Sequence, residues 1–216
     1  MITEDRSILD LEAPAPDLAL PDADVYFGDP ARPVVMLLHG GFWRPEYDRI
    51  HLRPMAVALR DLGWPVYSAE FRREPGNPVA TVQDVRAAFE AINRDVIVVG
   101  HSAGGHLALL LDAPKTIALA PVADLTMARD LDLDNNAVND FLGSHSQHDF
   151  EPRAQQAVLV HGIEDEVVPY PVSQAYHARY PSTRLVPLPD TGHFALIDPR
   201  SDAWPIVIQE LDRLLA

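Results

Sequence analysis

Asp95-Val96-Ile97-Val98-Val99-Gly100-His101-Ser102-Ala103-Gly104-Gly105-His106-Leu107-Ala108-Leu109-Leu110-Leu111 contains two apolar runs joined by a Gly-x-Ser-x-Gly turn. The first run has the length of a buried strand and the second is helix-forming. A strand, then Gly-x-Ser-x-Gly, then a helix is the pattern of a nucleophile elbow. So tight a turn strains the backbone of the serine, and only glycine at its flanks lets neighbouring chain pass without a Cβ clash. The strain lifts the Ser102 hydroxyl to the top of the sheet. It also directs the amide of Ala103, at the helix N-terminus, to where an oxyanion would form. The bare motif is common in loops rich in small residues, and its flanks are what give it weight here.

Composition narrows the rest. A chain of 216 residues with 47% hydrophobic content fits one α/β domain with a single sizeable core. Thirty-two acidic against seventeen basic residues give a formal charge of −15, a field that disfavours nucleic acid and anionic membrane surfaces. No apolar stretch approaches the length of a membrane span, and the acidic opening MITEDRSILDLE lacks the pattern of a secretory signal. Cysteine is absent, which excludes thiolate catalysis, disulfides and Cys-ligated zinc. The expected setting is cytoplasmic.

Outward from the elbow, strands and helices alternate. Residues 1–24 are punctuated by Pro and Asp and read as an irregular arm, with Val25-Tyr26-Phe27 as a candidate edge strand. Val34 to Leu38 is a continuous apolar run, expected as a strand buried on both faces. A helix is expected from Tyr47 to Leu62, ended by Gly63. A strand follows from Pro65 to Phe71, then a helix capped by Thr81 and running through Asn93. Strands are expected at Lys115–Ala120, Ala157–Val160 and Arg184–Leu188, and helices at Tyr170–Tyr180 and Trp204–Leu215, the last with Ile208, Leu211 and Leu215 on one face. Residues 122–153 are polar and mixed, the natural place for a small lid or pocket wall. The alternation argues for a mostly parallel sheet covered by helices on both faces, with ligand at the carboxyl ends of the strands.

A serine hydroxyl becomes nucleophilic only when a base takes its proton and a third group orients that base. After Ser102 the chain offers two loops that each follow a strand. The first is His161-Gly162-Ile163-Glu164-Asp165-Glu166, where Asp165 is the favoured acid because a short carboxylate held in a turn suits the orienting role. Glu164 and Glu166 remain alternatives, and Asp190 is disfavoured by its closeness to the base in sequence. The second is Thr191-Gly192-His193-Phe194, which makes His193 the candidate base. His101 has a structural role beside the elbow, and His106 and His161 read as satisfied interior groups. His177 reads as a surface residue. The loop His39-Gly40-Gly41-Phe42-Trp43 follows the first buried strand, and its glycines admit a substrate oxygen close to backbone amides. Gly41, Phe42 and Ala103 are therefore the candidate oxyanion donors. Trp43 and Phe194 are the candidate substrate contacts. His145, His148 and Asp149 have a metal-like look but lack a third ligand of defined spacing, so no metal site is expected.

The loop His39–Trp43, together with Gly100-His101-Ser102-Ala103-Gly104-Gly105-His106, resembles the arylformamidase (kynurenine formamidase)-like branch of the α/β-hydrolases, a neighbour of the hormone-sensitive-lipase-type esterases. Arg72-Arg73, the start of the helix at Thr81-Val82-Gln83-Asp84-Val85 and the Gly192-His193-Phe194 loop share in the likeness, which runs from about Val34 to the C-terminus. The resemblance implies an α/β-hydrolase fold and triad roles for Ser102, Asp165 and His193. It also implies oxyanion donors from the His39–Trp43 loop. The short N-terminal arm and the lack of a clear cap depart from it.

The expected chemistry is two-step acyl transfer on a small carboxylic ester or N-formyl amide, with neither metal nor organic cofactor required. A generic short-chain carboxylesterase fits as well, and a ligand-binding protein on an inactive scaffold is the rival of another class. The oligomeric state is not legible.

Overall fold

The computed structural model describes residues 4–154 and 156–215. Residues 1–3 of the expected arm lie outside them. The remainder of the arm is more ordered than its composition suggested: a short 3₁₀ turn at Ser7–Asp10 is followed by strands β1 (Leu18–Leu20) and β2 (Ala23–Tyr26). These two form an antiparallel hairpin that adds to the sheet edge. Pro and Asp obscured the pairing, although Ala23 and Tyr26 are fully buried.

Strand β3 (Val34–Leu38) is buried at every position. Helix α1 begins only at Arg53 and runs to Asp61. The preceding Arg49–Leu52 is a 3₁₀ turn capped by the Asp48 side chain, 2.8 Å from the Ile50 amide. Pro54, which has no N–H to donate backwards, sets that boundary. Then come β4 (Val66–Ala69) and α2 (Pro78–Ala91). The cap of α2 is Asn77 with Pro78 behind it, not Thr81, whose hydroxyl instead donates to the Arg72 carbonyl at 2.7 Å. Strand β5 (Val96–His101) and helix α3 (Ala103–Leu111) flank the elbow.

After β6 (Thr116–Leu119) come two short helices, α4 (Leu125–Asp130) and α5 (Ala137–Leu142). The expected lid segment is thus largely a packed wall, with Val122, Leu125, Ala128, Val138, Phe141, Leu142 and Phe150 buried in the core. The chain closes with β7 (Ala157–Gly162), α6 (Pro171–Arg179), β8 (Arg184–Leu188) and α7 (Trp204–Arg213). Helix α7 buries Val207 and Leu211 at i, i+4 spacing, with Ala203 buried at its cap, while Leu215 is exposed.

The eight strands form one sheet in the order β1-β2-β4-β3-β5-β6-β7-β8, parallel from β4 to β8 and antiparallel at the hairpin. Alternate side chains of the central strands feed opposite layers, as strand periodicity requires. Val35, Leu37, Ile97 and Val99 pack against Met55 and Leu59 of α1 and Val207 and Leu211 of α7. Met36, Leu38 and Val98 pack against Val85 of α2, Leu107 of α3 and Val172 of α6. Because β3, β5, β7 and β8 are parallel, the loops that leave them gather at one edge of the sheet.

Candidate active site

Helix α3 approaches the sheet through glycine. A Cβ on Gly104 would lie 2.1 Å from the Leu38 carbonyl oxygen, and one on Gly100 would lie 2.1 Å from that of Gly104. This contact lets the turn between β5 and α3 close, leaving Ser102 at φ 57° and ψ −119°, a strained backbone for a residue with a side chain. The turn is tied down by hydrogen bonds from the Ser102 amide to Leu119 (2.8 Å) and from the His106 and Val122 amides to the Ser102 carbonyl (3.1 and 3.2 Å).

In the loop after β7, Asp165 is buried and its carboxylate is fully engaged. Oδ1 accepts from the amides of Val167 (2.8 Å) and Val168 (2.7 Å). Oδ2 accepts from Nδ1–H of His193 at 2.7 Å and lies 3.2 Å from Nε2 of His161. His161 shares that N–H with the Val168 carbonyl at 2.8 Å, and its Nδ1 accepts from the Ser173 hydroxyl at 2.7 Å. Burial works against the charge on Asp165, but the two imidazoles outweigh it and hold the carboxyl below the usual range. The rival acids are placed elsewhere. Glu164 accepts from the Thr191 amide at 3.1 Å, and Glu166 and Asp190 are exposed.

His193 is buried, with Nδ1 committed to Asp165. His101 packs beside it, ring centroids 4.5 Å apart, and donates from Nε2 to the His193 carbonyl at 3.1 Å. Burial, reinforced by the neighbouring His193, keeps the pKa of His101 well below the usual histidine range, so it does not compete as a base. Ser102 and His193 line one cavity of about 430 Å³, together with Gly40, Gly41, Phe42, His101 and Phe194. Among the described residues the Ser102 hydroxyl makes no hydrogen bond to the ring. Such contacts are often long in unliganded sites and tighten on binding substrate.

The loop after β3 abuts the elbow: a Cβ on Gly40 would lie 2.9 Å from that of Ser102. Gly41, Phe42 and Trp43 all have positive φ, at 104°, 49° and 58°. Among the described residues no acceptor takes the amide of Gly41 or Phe42. Ala103 opens α3, where an N–H has no partner within the helix.

Behind this loop is a charged cluster that no motif announced. His39, stacked on Phe71 at 4.2 Å, donates from Nδ1 to the Gly40 carbonyl at 2.8 Å and lies 3.0 Å from Glu70. Glu70 also binds Arg73 and Arg49, and Arg49 and Arg53 flank the fully buried Asp24 at 3.1 and 2.8 Å. Burial opposes the charge of Glu70, yet His39 and Arg73 hold its carboxyl well below the usual range.

Two expectations require correction. Trp43 does not line the cavity. It is buried, stacked on Phe141 at 4.5 Å and edge-on to His106, because the left-handed turn at Phe42-Trp43 leaves Phe42 at the cavity and Trp43 in the core. His177 is not merely a surface residue, since its Nδ1 pairs with the Thr183 hydroxyl at 3.0 Å. His145, His148 and Asp149 are exposed, with His145 turned to the Leu142 carbonyl and His148 to Arg153, and among the described residues no group of three His, Cys, Asp or Glu side chains is gathered for a metal. The cavity is also lined by residues the motifs did not reveal, among them Arg6, Leu9, Tyr47, His51 and Asp134. Burial pushes the pKa of His51 down to about 4, so it is neutral at physiological pH.

A family model described as "Alpha/beta hydrolase family" matches residues 35–144, just over half of the chain. The chain belongs to the α/β-hydrolase family. No curated protein sequence matches this hydrolase. Its fold resembles that of a hormone-sensitive lipase from a metagenome library, with a TM-score of 0.77 at 18% identity over 97% of this chain and 88% of that one. It also resembles an acetyl ester-xyloside bifunctional hydrolase from Caldicellulosiruptor lactoaceticus, with a TM-score of 0.69 at 19% identity over 99% and 94%. Est1E from Butyrivibrio proteoclasticus, solved with ferulic acid bound, gives a TM-score of 0.64 at 19% identity over 89% and 94%. Among the described residues no helix is long and apolar enough to cross a membrane.

Proposed function

We propose that this hydrolase is a serine esterase that cleaves small carboxylic esters through an acyl-enzyme. The observation that carries the reading is the strained Ser102 in one cavity with His193, whose ring is tied by Nδ1 to the buried Asp165. In the first step His193 Nε2 takes the hydroxyl proton as Ser102 Oγ bonds to the substrate carbonyl carbon. The carbonyl oxygen becomes an oxyanion held by the amide of Ala103 and by that of Gly41 or Phe42. The imidazolium then protonates the departing alkoxide as the C–O bond breaks. Water, deprotonated by the same nitrogen, releases the acyl group and returns the proton to Ser102. Asp165 keeps Nδ1–H in place throughout, so that Nε2 is the basic nitrogen. No step calls on a metal or organic cofactor.

Within this reading the N-formyl amide remains a second substrate class. The same attack, oxyanion and leaving-group protonation apply, and the His39–Trp43 and Gly100–His106 motifs resemble the arylformamidase-like branch. Esters are favoured because solved structures that share this fold include esterases and a lipase. A comparison of kcat/KM for short p-nitrophenyl esters and N-formylkynurenine tests the assignment. Turnover of the esters alone supports a carboxylesterase, comparable formamide turnover moves the assignment to arylformamidase, and turnover of neither refutes both.

A further inference from the structure

The N-terminal arm reaches the loop that carries His193. Ile8 is almost fully buried and shares the core cluster with Leu196 and Ile197, the residues that follow that loop. The Arg200 guanidinium ties down the same turn through the Ser7 hydroxyl at 3.0 Å. From this anchor the chain runs back to Glu4, whose Oε1 accepts the amide N–H of Phe194 at 3.0 Å. The same carboxylate sits against Gly192, where a Cβ would lie 2.6 Å from Oε2. Glu4 therefore touches both chain neighbours of His193. Arg6 lies over the Phe194 ring, 5.4 Å from its centroid, and with Leu9 lines the substrate cavity.

These contacts complete the fixing of the imidazole. Its Nδ1 is held by Asp165, the carbonyl of its own residue by His101, and the next amide by Glu4. The Phe194–Ile197 turn is a 3₁₀ helix in which His193, the residue before it, offers no side-chain cap. Its first N–H would otherwise lack a fixed acceptor. A carboxylate is a strong acceptor for such an amide.

We infer that Glu4 is a positioning residue for His193, setting through the Phe194 amide the distance between the imidazole and the Ser102 hydroxyl. The inference rests on the proposed roles of Ser102 and His193. It assigns the arm a part in catalysis that its irregular sequence did not suggest.

The test compares Glu4→Ala and Glu4→Gln with wild type in the rate of covalent labelling by a fluorophosphonate, in kcat and KM for a short p-nitrophenyl ester, and in melting temperature. Losing a hydrogen bond to a charged group predicts that Glu4→Ala labels and turns over about tenfold more slowly, with KM nearly unchanged and the melting temperature lowered by only a few degrees. Glu4→Gln keeps an acceptor of the same shape without the charge and should fall between wild type and Glu4→Ala. Wild-type labelling rates in Glu4→Ala, equal losses in both variants, or a loss confined to KM would overturn the inference alone. A wild-type protein that does not label at all would overturn the underlying catalytic reading and this inference with it.

Discussion

Replacing Asp165 by Asn changes one atom in the site and reverses one hydrogen bond. The Asn carbonyl oxygen keeps the place of Oδ1, which accepts two backbone amides at 2.8 and 2.7 Å, so the loop remains satisfied. The amide nitrogen then takes the place of Oδ2 and points N–H groups at the Nδ1–H of His193 and the Nε2–H of His161. His161 retains the Val168 carbonyl as an acceptor for its Nε2–H, and its Nδ1 still faces Ser173. His193 has no such alternative. Its ring must adopt the tautomer with the proton on Nε2, the nitrogen that has to receive the serine proton. The same substitution in the Ser-His-Asp proteases lowers kcat about 10⁴-fold, or about 5.5 kcal/mol of barrier. A loss of 10³- to 10⁴-fold is expected here, with KM little affected. The assay is steady-state hydrolysis of a p-nitrophenyl ester alongside thermal melting, to show that the variant is folded. A folded Asp165→Asn protein that keeps kcat within tenfold of wild type would refute the role given to this carboxylate.

Three further outcomes follow from the same geometry. Ser102→Gly and Ser102→Ala should both be inactive, but the glycine variant should melt higher, because strain of this kind costs about 1–3 kcal/mol and glycine relieves it; an alanine variant of equal or greater stability would argue against strain at the elbow. Gly104→Ala should fail to fold or lose activity by orders of magnitude, since its Cβ meets the Leu38 and His39 carbonyl oxygens at 2.1 and 2.4 Å, and wild-type expression, melting and turnover would contradict the packing. Stability should decline in two stages on acidification. Burial pushes His51 and His106 down to about 4, so between their usual value near 6.5 and that point the unfolded chain binds protons the folded chain refuses, and stability falls with pH. For His106, fully buried, the loss is on the order of 3 kcal/mol. Asp165 and Glu70, held below the ordinary carboxylate range, keep their contribution above that range and lose it as pH falls through it and below. A melting temperature that stays flat from pH 7 to 4.5 would count against the buried neutral histidines.

The sheet was legible because its central strands are buried on both faces. A strand of that kind must be apolar throughout, so Val34–Leu38 and Val96–Val99 stand out as runs. The loops carrying Ser102, Asp165 and His193 were legible for a related reason, since parallel strands send their following loops to one edge. Contacts between segments distant in sequence leave no such periodic trace. Nothing in the Pro- and Asp-rich opening marks Glu4 as a neighbour of Phe194, or β1 and β2 as a hairpin. The cluster of Asp24, Arg49, Arg53, Glu70, Arg73 and His39 joins four separate stretches and is equally silent. Trp43 misled because an aromatic residue in a glycine loop suits a pocket wall and a core plug alike, and only the backbone turn decides. Thr81 and Asn77 are both good caps, and Pro78 was the signal that favoured Asn77.

The most direct test of the account is to stop turnover of p-nitrophenyl butyrate with acid within the first cycles and map the protein by peptide mass. One butyryl group is expected, on the peptide that contains Ser102, with no adduct in Ser102→Ala. Sustained hydrolysis with that peptide unmodified, or undiminished hydrolysis by Ser102→Ala, would contradict the account.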